Sequence, residues 1–60
     1  MREFYVIQEV DGMGFWSEYD SRFRGYLWAD KFETEKELLD YAQKRSIGIF
    51  RITKVYDTKA

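Results

Sequence analysis

Residues 34–45 read TEKELLDYAQKR and contain the clearest local signal in the chain. Thr34 and Glu37 have the spacing of a capping box, in which the Thr34 hydroxyl accepts from the amide of Glu37 and the Glu37 side chain returns to the amide of Thr34. Acidic residues begin this segment and basic residues end it, as the helix dipole favours. The pattern therefore predicts a helix over residues 35–45. Its buried stripe is expected to consist of Leu38, Tyr41 and Ala42, with Leu39 at the flank.

Outward from this helix, β-branched and aromatic residues recur in short runs that are typical of strands. These predicted strands are residues 3–10, 15–19, 22–28 and 49–56. Asp11-Gly12 indicates a hairpin between the first two, because Gly12 accepts a positive φ without a Cβ clash. Asp20-Ser21 is the next expected turn.

The element order β-β-β-α-β predicts an α+β fold, a single small two-layer domain over residues 1–60. Its sheet is expected to be mainly antiparallel, with three or four strands and one helix on one face. A right-handed crossover would place the last strand parallel to a neighbour, most simply the first strand. Residues 57–60 are expected to be a frayed tail.

Composition narrows the possible chemistry of these 60 residues. The chain has no Cys and no His, so zinc sites, disulfides and thiol or Ser-His catalysis are not expected. No apolar run approaches the ~18 residues of a membrane span, and Met1-Arg2-Glu3 leads directly into strand-like sequence, so no signal peptide is expected either. Ten basic residues against 11 acidic ones leave a net charge of −1, whereas nucleic-acid binders usually carry a basic excess.

The chain has more aromatic residues than one short helix can cover. Two Trp, five Tyr and five Phe are present, so some rings are expected on the uncovered face of the sheet. Trp, Tyr and Arg are also the residue types that dominate binding hot spots. The candidate partner-binding residues are Tyr5, Trp16, Arg22, Arg24, Tyr26 and Trp28.

Several interpretations of these candidates remain open. The rings could pack along the sheet, bury one another in a homodimer, or form an interface with a different protein. Basic residues interleaved with aromatics over residues 22–28 could also bind nucleic acid by stacking and phosphate pairing, although the net charge makes this partner a minor alternative. A further possibility is a homo-oligomer that sequesters a nucleotide signal between protomers.

Catalysis is not expected from this sequence. Asp11-Gly12-Met13-Gly14 lacks the Lys-Ser/Thr and the helix that follow a phosphate-binding loop. Carboxylates are numerous, but a general acid and base need a cleft of about 300 Å³ that shifts a pKa, and a chain this short leaves little room for one. No cofactor or metal site is predicted. The carboxylates considered are Glu18, Asp20, Asp30, Glu33, Glu35, Glu37 and Asp40, of which those at the helix start are better explained by capping.

The spacing of apolar and capping residues resembles a known class of proteins. The pattern consists of Phe4-Tyr5-Val6-Ile7, Phe15-Trp16, Ala29-x-x-Phe32-x-Thr34-x-x-Glu37-Leu38-x-x-Tyr41-Ala42 and Ile52-x-x-Val55-Tyr56. It resembles the small early proteins of tailed bacteriophages and is similar in element order to the inhibitors of bacterial RNA polymerase from T7-group phages. The resemblance implies a phage-encoded, non-enzymatic inhibitor in the cytoplasm of an infected bacterium. Such a protein would bind and occlude a host protein of a defence system or of transcription or replication.

Overall fold

A computed structural model describes residues 2–57 of the chain, with Asp57 described by its backbone alone. It contains four strands, one short 3-10 helix and one α-helix. In chain order these are β1 (Arg2–Gln8), β2 (Phe15–Ser17), β3 (Arg22–Arg24), the 3-10 helix (Tyr26–Trp28), α1 (Glu35–Lys44) and β4 (Arg51–Asp57). The strands form one sheet in the order β3-β2-β1-β4, and every neighbouring pair is antiparallel. The predicted α+β architecture with one helix and a mainly antiparallel sheet is confirmed.

The prediction that β4 runs parallel to a neighbour is wrong. β4 pairs antiparallel with β1 along its whole length, from Arg2 opposite Asp57 to Gln8 opposite Arg51. The physical reason is an additional extended segment before the helix. Phe32 exchanges two backbone hydrogen bonds with Tyr5, at 2.7 and 2.8 Å, in an antiparallel bridge. The chain therefore runs back along the sheet before α1 begins, which reverses the direction of the strand after the helix.

This returning segment also separates β1 from β2. The two strands pair at Gln8 and Phe15, but further along the carbonyl of Trp16 accepts from the amide of Asp30 at 3.1 Å. Residues 30–32 thus occupy the space between the strands and satisfy backbone groups that the separated strands no longer share.

The third strand is shorter than predicted, because residues 22–28 are extended only as far as Arg24. Beyond it, the amide of Trp28 donates to the carbonyl of Gly25 at 3.0 Å, and the amide of Ala29 donates to Tyr26 at 3.0 Å. These i→i+3 bonds make the 3-10 helix, whose side chains follow a threefold rather than a twofold repeat. The alternation predicted for residues 25–28 is therefore lost.

The other strand ends also shift from their predictions. β1 begins at Arg2 and ends at Gln8, and β2 ends at Ser17 rather than at residue 19. β4 begins at Arg51 and includes residue 57, which had been expected to fray; residues 58–60 lie outside the described residues. The first hairpin forms as predicted, but no glycine within residues 2–57 has a positive φ. Gly14 is instead a position of close approach, since a Cβ there would lie 2.9 Å from the Cβ of Phe23.

α1 begins at the predicted residue and ends one residue before the predicted end. The Thr34 hydroxyl accepts from the amide of Glu37 at 3.1 Å, as predicted, but the Glu37 carboxylate accepts from that hydroxyl at 3.3 Å and does not return to the backbone. At the other end, Ser46 has a φ of 57°. The amide of Ser46 donates to Gln43 and that of Ile47 to Ala42, which is a Schellman cap with serine in the position that usually carries glycine.

The core lies between α1 and one face of the sheet, which we call the helix-side face. Its fully buried centre is Ile7, Leu38 and Ala42. Partly buried aromatic and aliphatic side chains surround this centre: Tyr5, Trp16, Phe23, Phe32, Tyr41, Ile47, Phe50 and Ile52. The predicted helix stripe is confirmed, with Leu39 half exposed at its edge.

The opposite side of the sheet is here called the open face. Strand register assigns to it Arg2, Phe4, Val6, Gln8, Phe15, Ser17, Arg22, Arg24, Arg51, Thr53 and Val55. Val6 and Ser17 are buried on this side, so neighbouring side chains cover the middle of the open face although no α-helix packs there.

Candidate interaction site

The most exposed group of large side chains lies where β3 passes into the 3-10 helix. We call Tyr19, Arg24, Tyr26, Leu27 and Trp28 the aromatic corner. Among these, the exposed fraction is 93% for Leu27, 83% for Tyr19 and 49% for Trp28. The 3-10 helix itself contains no buried residue. Burying such side chains in the isolated domain would be favourable, so their exposure calls for a functional explanation.

Trp28 contacts two partners on this surface. The guanidinium carbon of Arg24 is 4.4 Å from the centre of the Trp28 ring system. The Tyr19 ring stacks on Trp28 with a centroid separation of 6.2 Å and an angle of 23° between the planes. Arg24 also donates to the carboxylate of Asp20. These contacts hold Trp28 in one orientation without burying it, which reduces the entropy lost when a partner binds.

Tyr26 is anchored to the open face of the sheet. Its ring meets the edge of Phe15 at a centroid distance of 5.4 Å and an angle of 79°, a favoured geometry for two aromatic rings. The ammonium of Lys31 lies 5.4 Å from the centre of the Tyr26 ring. The 3-10 helix is thereby held against β2, and Leu27 projects from it into solvent.

A groove of about 510 Å³ runs along this segment and is lined by residues 22–28. It is larger than the cleft of ~300 Å³ for which so short a chain was expected to leave little room. Its walls come from β3 and the 3-10 helix that directly follows it, so it is the hollow of a turn and not a cleft between segments distant in the sequence. Tyr26 supplies the only proton-transfer group among these lining residues, which suits the groove to hold an apolar side chain better than to carry out acid–base chemistry.

The structure brings four of the six candidate residues together and places the other two elsewhere. Arg22, Arg24, Tyr26 and Trp28 all line the groove. Tyr5 and Trp16 were expected on the same uncovered face, but they lie on the helix-side face and pack against the core. The register explains this correction, because Trp16 pairs with Phe23 whereas the two arginines pair with Ser17 and Phe15.

Sequence reasoning missed Tyr19 and Leu27 as members of this surface. Tyr19 was interpreted as part of the second strand, but it lies in a turn in which the amide of Ser21 donates to the carbonyl of Glu18 at 3.3 Å. Leu27 was predicted to lie in the third strand, residues 22–28, and was not among the candidate residues. The adjacent Asp20-Ser21 turn signal was the available clue for Tyr19; no local signal marks the 3-10 helix.

On the helix-side face, polar groups form a connected network instead of an exposed surface. The indole N–H of Trp16 donates to the Tyr41 hydroxyl at 2.8 Å, and that hydroxyl donates to Glu18. The second oxygen of the Glu18 carboxylate accepts from Arg45. This chain ties β2 and the following turn to α1, so we assign it a structural role.

Asp30 extends this network through the backbone. One of its carboxylate oxygens accepts from the amide of Glu18 at 2.8 Å. Burial raises the pKa of Asp30 above its ordinary value of 3.8, and the nearby Glu18 charge adds to this, while the hydrogen bond opposes it. Burial is also the main reason why the pKa of Tyr41 lies above its usual 10.0, followed by its hydrogen bond to Glu18.

The remaining acidic residues do not converge on one site. Glu33 pairs with Arg2 and Glu3 with Lys54, while Glu35 and Glu37 lie in the first turn of α1. Within residues 2–57 no cluster of three or more acidic side chains has metal-site geometry. No helix in this range is long and apolar enough to cross a membrane.

Arginines, in contrast, concentrate on one side of the molecule. Four of the five arginines in the chain lie on the open face by strand register. Two of them are paired with carboxylates, Arg2 with Glu33 and Arg24 with Asp20. Arg22 and Arg51 form no salt bridge within the described residues. The open face thus has two arginines whose charges are not compensated within residues 2–57, Arg22 beside the aromatic corner and Arg51 on the opposite edge of the sheet.

The sequence matches no protein-family model and no curated protein, and the fold matches no solved structure. The functional conclusion therefore rests on the geometry of this chain.

Proposed function

We propose that this protein is a non-enzymatic binding domain that docks onto another protein through the aromatic corner. The observation that carries the proposal is the nearly complete exposure of Leu27 beside a half-exposed Trp28 that Arg24 and Tyr19 already orient. Trp, Tyr and Arg in a pre-oriented group are what the centre of a protein–protein interface requires.

A protein partner fits this site better than a stacked base does. Arg24 lies over the Trp28 ring and Lys31 over the Tyr26 ring, so a base would have to displace these cations to stack on those sides. The charge of Arg24 is also compensated by Asp20, which weakens its attraction for phosphate. An apolar side chain of a partner could enter the groove while the two cation–π contacts and the Arg24–Asp20 salt bridge stay intact.

The proposed mechanism is steric occlusion of the partner's surface. The groove residues offer binding contacts but, apart from the Tyr26 phenol, no group that transfers protons or attacks a substrate. The resemblance to small phage proteins makes a bacterial host protein the expected partner, and this narrower identification remains a prediction.

The experiment is affinity capture from a nuclease-treated bacterial lysate with three baits. These are the wild-type chain, Leu27→Glu and Leu39→Glu. Both substitutions replace an exposed leucine by the same charged residue, but Leu39 lies on the outer side of α1 and is 49% exposed. We expect one protein to be captured in stoichiometric amount by the wild type and by Leu39→Glu, and to be reduced at least about tenfold by Leu27→Glu, a loss of ~1.4 kcal/mol.

Equal capture by all three baits would show that the partner uses a different surface. Loss of capture by both variants would also contradict the proposal, provided that their circular dichroism spectra match the wild type. Recombinant partner and titration calorimetry then give the affinity of each variant directly.

A second candidate function is weak binding of single-stranded nucleic acid on the open face, favoured by its four arginines. Its test is fluorescence anisotropy with a labelled oligothymidine and an oligouridine at ~50 and ~200 mM salt. Binding that falls with salt and that Arg22→Ala and Arg51→Ala weaken would support this function. Salt-independent binding, or none, would exclude it.

A further inference from the structure

β4 forms an unusually accessible edge of the sheet. It has seven residues, contains no proline, and has β1 as its only neighbouring strand among residues 2–57. Edge strands of this length usually carry devices that prevent pairing with another chain. The one lysine in the centre of β4, Lys54, lies 3.4 Å from Glu3 on the neighbouring β1, so its charge is directed toward β1 and compensated there.

The alternation of hydrogen bonds along β1 shows which backbone N–H and C=O groups of β4 point away from β1. Tyr5 uses its N–H and C=O to bind Phe32 on the side away from β4. Even-numbered residues of β1 therefore bond to β4, and their partners are Arg51, Thr53 and Val55. Strand alternation then turns the N–H and C=O groups of residues 52, 54 and 56 outward to the free edge.

We propose that β4 pairs antiparallel with β4 of a second copy of this chain, which forms a continuous eight-stranded sheet across a twofold axis. The axis passes beside Lys54, so each outward-facing residue exchanges an N–H and a C=O with the second copy. This pairing satisfies backbone groups that the isolated chain leaves to water, and it uses all seven residues of the strand.

This register also matches side-chain chemistry. Ile52 comes opposite Tyr56 of the second copy, and Tyr56 is 57% exposed in the single chain. On the other side of the sheet Arg51 comes opposite position 57 of the second copy, which is an aspartate in the sequence. Ile52 and Tyr56 thus pair apolar with apolar, and opposite formal charges meet at both ends of the paired strands. Lys54 comes opposite Lys54 of the second copy, and each of these two ammonium groups lies 3.4 Å from the Glu3 carboxylate of its own chain, which offsets the repulsion between them.

The small core gives a thermodynamic reason for self-pairing. Among residues 2–56 only four hydrophobic side chains are buried: Val6, Ile7, Leu38 and Ala42. Domains of about 60 residues bury too little surface for a wide margin of stability and commonly gain it by oligomerisation. A shared sheet would add buried area at the edge nearest Phe50 and Ile52.

The pairing does not depend on the function proposed for the aromatic corner. β4 and β3 are opposite edges of the sheet, so the two aromatic corners would lie at the two far ends of the dimer with their open faces on the same side. The dimer would then be a bivalent binder, and its avidity for a repeated or dimeric partner would exceed the affinity of one corner.

The first test is sedimentation analysis of the wild type, Tyr56→Lys and Leu39→Lys at about 100 µM. Both variants exchange a half-exposed apolar side chain for a lysine, but only Tyr56 lies on β4. We expect the wild type and Leu39→Lys at twice the 7.3 kDa mass of one chain, and Tyr56→Lys at the mass of one chain. A monomeric wild type, or a Tyr56→Lys variant that remains dimeric, would overturn the proposal.

The second test uses the unmodified protein and so does not depend on any variant folding. Amide exchange is followed by NMR along β4. In the dimer the amides of residues 52, 54 and 56 exchange as slowly as those of Thr53 and Val55, and they become faster on dilution. If they exchange at least about tenfold faster than their neighbours at all concentrations, the edge is free and any dimer uses another surface.

Discussion

The two tryptophans of this protein show how differently the two sides of one small sheet use the same residue type. Trp16 lies on the helix-side face, packs edge-on against Phe23 at 5.4 Å and donates its indole N–H to Tyr41. Trp28 lies at the aromatic corner, is 49% exposed, and is held by Arg24 and Tyr19. A buried tryptophan needs a partner for its N–H. Within the described part of the chain the indole N–H of Trp16 has one and that of Trp28 does not. Residue type alone therefore does not identify a binding residue; its neighbours do.

The largest effect expected from this comparison is on stability. Trp16→Ala removes a ring packed against the core and leaves the Tyr41 hydroxyl without its donor, so we expect a loss of about 3 kcal/mol. Trp28→Ala should cost about 1 kcal/mol or less, because an exposed cation–π contact contributes little. Urea denaturation followed by circular dichroism at one protein concentration measures both. Equal losses would show that the aromatic corner is part of the folding core.

A smaller effect is expected from single hydroxyl groups. Tyr41→Phe leaves the Trp16 N–H and the Glu18 carboxylate short of a partner, which should cost about 1–2 kcal/mol. Tyr19→Phe is the matched control. Tyr19 is 83% exposed, so removal of its hydroxyl group should change stability by less than about 0.5 kcal/mol. The same denaturation assay applies. An unchanged Tyr41→Phe would mean that the network does not hold α1 to the sheet.

The smallest effect is on the pH dependence of stability. The pKa of Asp30 in the folded state is raised above 3.8, mainly by burial. At pH values between the unfolded-state pKa and the folded-state pKa, the folded state therefore binds more protons than the unfolded state. The contribution of Asp30 to stability is therefore greatest at low pH and falls as the pH rises through its folded-state pKa. Asp30→Asn keeps an acceptor for the Glu18 amide but has no charge to bury. The stability of Asp30→Asn relative to the wild type should increase as the pH rises from the unfolded-state pKa to the folded-state pKa of Asp30, and should then level off. Denaturation at several pH values measures this difference. A difference that is constant with pH would contradict the assignment.

Much of the local structure was accessible from local signals. Thr34 and Glu37 marked the start of α1, and the spacing of Leu38 and Ala42 marked its buried stripe. Alternating β-branched and aromatic residues located all four strands. The ends of the elements were harder to predict. The helix, for example, ends at Ser46, which has a left-handed backbone conformation although it is not a glycine.

The candidate site was only partly predictable. Arg22, Arg24, Tyr26 and Trp28 were chosen on the assumption of one continuous strand, and they do converge, but through a 3-10 helix that folds back on Phe15. Trp16 was grouped with them because its strand alternation does not reveal which side the helix covers. That choice depends on contacts between residues 25 positions apart, such as Trp16 and Tyr41.

By itself the sequence determined the order of the elements, the position of the helix, and a surplus of aromatic residues beyond what one helix covers. These features depend on hydrogen bonds and side-chain spacing within a few residues, where each residue's own preferences decide the outcome. Only the tertiary structure decided that β4 runs antiparallel to β1, that Trp16 is inside and that Trp28 is outside. The strand register places Trp16 inside, and the 3-10 helix leaves Trp28 half exposed. The direction of β4 follows from residues 30–32, which return along the sheet before the helix begins. Their path depends on long-range contacts with Tyr5 and Trp16, which no local preference encodes.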